Sequence, residues 1–196
     1  MIIVPVISLL SYGSIDSFQV INEKKYLFFN SSINTLYLLT VTILVSLFLG
    51  LFPAWYITRY QFKSRKTIDF LMYLPLAIPT YIMAFSYGEI LSYTGPFQTF
   101  LRFYLKPISN FFNRDYLTIE ILGIVLGLSL YPYVYAACRI SFSLIGKTYL
   151  DLSESLGNNW FKTFFKVVIP LSIPSILSAI FLVSMEVLNE YGAVKY

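Results

Sequence analysis

Residues 151–174 read DLSESLGNNWFKTFFKVVIPLSIP, passing from polar, to aromatic and basic, to apolar. In a helix, Leu152 and Leu156 stand four apart on one face, while Asp151 and Glu154 favour a helix start by complementing the positive end of the macrodipole. Gly157 breaks that run, and Asn158, one position on, has no expected role. A second short helix is expected to follow. In it Trp160 lies over Phe164 and Phe161 over Phe165, with Lys162 and Lys166 between them. Val167, Ile169 and Pro170 then open an apolar segment. Two short amphipathic helices joined at a glycine, between two membrane spans, suit a surface that docks a soluble partner.

Working outward, composition places the chain in a membrane. At 57% hydrophobic and 12% charged, with mean hydropathy +0.69, it has too few charges to cover a soluble globule. The 18 Phe and 17 Tyr supply aromatic belts for two membrane interfaces. A net charge of +4 is compatible with nucleic-acid binding, but the basic residues sit beside apolar runs, as membrane topology requires, so no nucleic-acid partner is expected. With no His and one cysteine, Cys138, an internal disulfide is excluded, and a zinc, haem or iron–sulfur centre has almost no ligands.

Four spans are expected, at about 33–57, 68–87, 117–140 and 167–188, with a cytoplasmic loop at about 147–166. The basic turn Arg59, Lys63, Arg65 and Lys66 marks the cytoplasm, as do Arg139 and Lys147. Arg102, Lys106 and Arg114 in the outer loop run against that rule, but less densely. Pro75 and Pro79 should kink or break the second span, as a packing kink or as the lining of a transport path. Pro132 is expected to interrupt the third span. Gly123 and Gly127 form a GxxxG there, a weak sign of close helix approach. The run at 1–12 is too short to cross about 30 Å of hydrocarbon.

The loop pattern resembles the cytoplasmic loop of inner-membrane permease subunits of ATP-binding cassette importers. That loop reads Glu-Ala-Ala, three residues, Gly, nine residues, then Ile-x-Leu-Pro. Here it reads Asp151-Leu152-Ser153, then Gly157, then Val167-Val168-Ile169-Pro170. Asp replaces Glu and Leu-Ser replaces Ala-Ala, which makes the docking face bulkier. The resemblance continues in Asn34-Thr35-Leu36, LPLAIPTYIMAFSY (74–87), TGP (94–96), LYPYVY (130–135) and MEVLNEYGAVKY (185–196). Together these are similar to one half of a ferric-iron permease, with LPLAIPTY and LNEYGAV pointing to iron.

The resemblance implies an all-α polytopic bundle of the type I importer kind, incomplete at both ends, with 1–12 as the outer end of a first span. It implies a cytoplasmic ATPase as partner, a periplasmic or lipid-anchored binding protein that delivers cargo, and a second permease half or identical copy beside it in the lipid. Permeases for thiamine, polyamines and anions share the docking loop. A non-transporting membrane scaffold or an inactive fragment is the alternative from another class.

The chain should not be an enzyme. It has no G-x-x-x-x-G-K-[ST] phosphate loop, no His and no nucleophile elbow, so ATP hydrolysis falls to a separate subunit and no cofactor or bound metal is expected. The span centres lack charge, which counts against an ion-coupled transporter. Glu89, Glu120, Glu186 and Glu190 all fall near the expected outer surface. They are span-end charges reaching water, or an acidic vestibule that accepts a hard cation or a basic surface of the delivering protein.

Overall fold

The computed structural model describes residues 25–104, 118–145 and 147–190. The run at 1–12, Lys106, Arg114 and the final AVKY lie outside them. The chain divides into two compact units, Met1–Tyr37 and Leu38–Tyr196, and every contact below lies within the second.

Among the described residues the chain is all helix and turn, without strands. Helix α1 (Lys25–Arg59) is followed by α2 (Arg65–Leu71), a 3₁₀ turn (Leu74–Ala77), α3 (Thr80–Leu91), α4 (Pro96–Tyr104) and α5 (Ile119–Leu144). Then come α6 (Lys147–Ser155), α7 (Trp160–Thr163), a π turn (Phe164–Val168) and α8 (Ile169–Asn189). Among the described residues, three stretches are long and apolar enough to cross a membrane: Phe29–Arg59, Ile119–Leu144 and Trp160–Asn189. Their sequences carry too little charge for any other solvent.

Helix α5 is central. Over half of its apolar window is buried (56%), against 22% for each of the other two. Its Gly123 and Gly127 face α1, where an added Cβ would stand 2.8 Å from Val41 and 2.6 Å from Val45. Thr42 and Ser46 of α1 donate to the carbonyls of Gly123 and Gly127 at 3.2 and 3.3 Å. The GxxxG, weak as a sequence signal, is therefore the seam along which two backbones approach. On α1, Gly50 does the same beneath Val134, 2.7 Å from an added Cβ.

Two sequence expectations need correction. Pro132 does not interrupt its span: α5 runs through it, and its side chain is buried. One lost hydrogen bond is tolerated in a helix packed on several sides. The helix carrying Trp160 is not a separate short one. It continues through the π turn into α8, with the Ile169 amide donating to the carbonyl of Phe164. That wider turn makes room for the Pro170 ring, which would crowd a regular turn. The break expected in 68–87 is present. Arg65–Ala77 and Thr80–Tyr104 meet at an 84° bend. Ile78 is extended (φ −109°, ψ 121°), as a residue before proline prefers, and Pro79 follows at ψ 138°.

Candidate functional site

Helix α6 turns Leu150 and Ser153 inward, both buried, and leaves Leu152 and Leu156 outward at 56% and 80% exposure. An apolar pair that open to solvent contributes nothing to the interior. Because α6 begins at Lys147, Asp151 lies in its second turn and does not complement the helix start as expected. Asp151 is exposed.

The turn that ends α6 depends on Gly157, whose φ of 78° is the left-handed conformation that glycine adopts freely. Around it the Asn158 amide donates to the Ser153 carbonyl at 3.1 Å, the long bond of a Schellman cap. Asn158 is not a bystander, since its side chain also donates to Ser153 Oγ at 3.3 Å. Ser153 Oγ in turn lies 3.0 Å from Thr163 Oγ1. Asn159 caps α7 by accepting from the Lys162 amide at 3.1 Å. Two short helices are thus locked at a fixed angle by side chains that local spacing did not reveal.

Below the turn the ring of Phe164 is 1% exposed. Trp160 stacks on it at 6.3 Å, and Trp55 and Phe52 of α1 and Phe142 of α5 surround it at 5.7, 5.8 and 6.3 Å. Phe161 and Phe165 point away, 60% and 56% exposed. Val168 is fully buried, Val167 and Ile169 are half-buried and Pro170 is exposed. The loop therefore has an outer apolar rim and an inner aromatic anchor on the spans.

The broken span forms a second feature. A cavity of about 80 Å³ opens at the break, lined by Pro75, Pro79, Thr80, Ser129, Tyr133 and Glu186, among others. Of the kink prolines expected from sequence, Pro75 and Pro79 line it and Pro132 does not. Ser129 of α5 and Glu186, half-buried in the last turn of α8, both face this space. Thr80, at the start of α3, donates its hydroxyl to the Glu190 carboxylate. Glu89 is exposed on α3 and does not line the cavity, and Glu120 is exposed at the start of α5.

A third cluster was not legible in the sequence. Asp69 on α2 accepts from the hydroxyl of Tyr135 and pairs with Arg139 at 3.4 Å, while Arg139 also donates to Thr58 Oγ1 at 3.3 Å. Arg139, a topology marker in the sequence, also ties α5 to α1 and α2. Four positions scattered over 58–139 carry no periodic signal.

The sequence pattern of the binding-protein-dependent transport system inner membrane component family matches residues 46–196, three quarters of the chain and both features above. The chain belongs to this family. Its three apolar helices and broken fourth make this family member a multi-pass inner-membrane protein of the helical permease fold. It is similar to the sulfate transport system permease protein CysT of Escherichia coli, 29% identical over 75% of this chain and 50% of that protein. It is also similar to a probable sulfate transport system permease protein of Helicosporidium sp., 27% identical over 98% and 70% of the two chains. The molybdenum transport system permease protein ModB of Azotobacter vinelandii is 26% identical over 82% of this chain and 68% of its own. The chain spans about half the length of the first curated relatives it matches. These relatives are named as transport system permeases, in keeping with the family, but for sulfate and molybdenum, and none of the three for iron.

Proposed function

We propose that this chain is the permease subunit of an ATP-binding cassette importer and that a cytoplasmic ATPase docks on residues 151–170. The observation that carries this is the exposed rim of Leu152, Leu156, Phe161 and Phe165 around the Gly157 turn. A groove on the ATPase covers that rim, and the Phe164 anchor passes its movement to α1 and α5. Closure of the ATPase subunits on ATP rocks the spans between outward-open and inward-open states. A periplasmic or lipid-anchored binding protein delivers cargo, and a second permease half or second copy completes the path. The permease has no catalytic role of its own.

For the cargo we favour a hard cation, ferric iron, over the anions for which the relatives are named. LPLAIPTY and LNEYGAV, far apart in sequence, meet at the broken span through Thr80 and Glu190. The cavity there is lined by the carboxylate of Glu186 and by the hydroxyl residues Thr80, Ser129 and Tyr133, with no lysine or arginine. A unit charge about 4 Å from a carboxylate gains or loses about 4 kcal/mol at an effective dielectric of about 20, so this lining attracts a cation and repels a dianion.

The relatives' names favour a second reading, sulfate or molybdate. Uptake by the assembled transporter separates them: labelled iron on its binding protein should accumulate with ATP, and labelled sulfate should not. Failure of the chain to associate with any ATPase would instead favour the scaffold reading.

A further inference from the structure

Ser129 is 1% exposed, and its hydroxyl has no hydrogen-bond partner among the described residues, although it lines the cavity at the broken span. Buried serines elsewhere in this fold find a partner: Ser46 donates to the Gly127 carbonyl and Ser172 accepts from the hydroxyl of Ser141. An orphaned buried hydroxyl costs free energy unless something transient satisfies it. Glu186 faces the same space from α8, and Tyr133 joins from one turn further along α5.

The start of α3 would ordinarily attract an anion to this place. Pro79 sits at its N-cap and supplies no side-chain acceptor, but the Glu190 carboxylate already lies at this helix start, accepting from the Thr80 hydroxyl. Glu186 remains as the charge that a passing ion meets.

We propose that this cavity is a waypoint for the transported cation, with Glu186 its charged ligand and Ser129 and Tyr133 its neutral oxygen contacts. Oxygen donors with one carboxylate suit a hard ion held weakly enough to leave. The cavity, about 80 Å³, takes an ion and a few waters. The broken span is what opens this space, since a continuous helix would fill it with its own backbone. This inference rests on the hard-cation reading above.

The test uses the permease assembled with its ATPase and binding protein in proteoliposomes. Ser129→Ala and Glu186→Gln should each lower iron uptake about tenfold, the loss expected for a contact to a charged group, with ATPase stimulation by the binding protein unchanged. Ser178→Ala, an exposed serine of α8 outside the cavity, should transport normally. A direct readout uses Tb³⁺, a hard trivalent ion whose luminescence is sensitised by a nearby tyrosine. The parent should show a saturable signal that Tyr133→Phe and Glu186→Gln both diminish. Iron uptake within twofold of the parent in both cavity variants overturns the waypoint and leaves the cargo reading standing, as does a Tb³⁺ signal unaltered by Glu186→Gln. Sulfate uptake in place of iron by the parent overturns the cargo reading itself.

Discussion

The hydroxyl of Ser153 lies 3.0 Å from that of Thr163, and both side chains are buried. One belongs to α6 and the other to α7, so this contact joins the two helices across the Gly157 turn. The same hydroxyl accepts from the side-chain amide of Asn158.

Ser153→Ala should therefore loosen the loop, leaving Thr163 with a buried unpaired hydroxyl at a cost of about 1–3 kcal/mol. Hydrogen exchange across 147–168 should speed up while the spans stay protected. Equal protection in parent and variant would count against the hydroxyl pair as the lock.

Gly157 separates backbone conformation from space. An added Cβ would meet nothing within 4 Å, so the only penalty is the left-handed φ. Gly157→Val should strain the turn by about 1–3 kcal/mol and weaken ATPase association. Gly157→Asn should retain most of it, because asparagine tolerates that conformation. Equal loss in both, measured by co-purification with the ATPase, would show that bulk on the surface is what matters.

Leu156→Asp should leave folding intact, because the side chain is 80% exposed and the variant buries no charge. ATPase co-purification and uptake should both fall at least about tenfold, the cost of desolvating a carboxylate in an apolar groove. Full retention of both would remove Leu156 from the docking surface.

Gly127→Val should destabilise the α1–α5 seam, since an added Cβ already stands 2.6 Å from Val45. Overpacking of this kind costs about 1–3 kcal/mol. The detergent-solubilised protein should melt several degrees lower, whereas Gly88→Ala, with nothing within 4 Å, should melt with the parent.

Asp69→Ala should free Arg139 from its ion pair and leave the Tyr135 hydroxyl without its acceptor. The pair is partly exposed, 18% and 30%, so a loss of about 1–2 kcal/mol is expected rather than that of a fully buried pair. Thermal melting checks the size. A double cycle with Arg139→Gln checks the partner.

Membrane residence, the all-helical class, the Gly157 turn and the break near Pro79 were legible in the residues, because each depends on local chemistry. Apolar runs need lipid, Gly157 takes positive φ, and proline pushes Ile78 into extended backbone. What only the tertiary structure decided were the meetings across the chain. Pro132 looks like a breaker in sequence and is an ordinary buried residue of α5. Arg139 looks like a topology marker and pairs with Asp69. Glu186 looks like a span-end charge and lines a cavity with Ser129. The physical reason is the same in each case: a helix fixes which face a residue occupies, but its partner on that face comes from another helix, and no period within one segment encodes it.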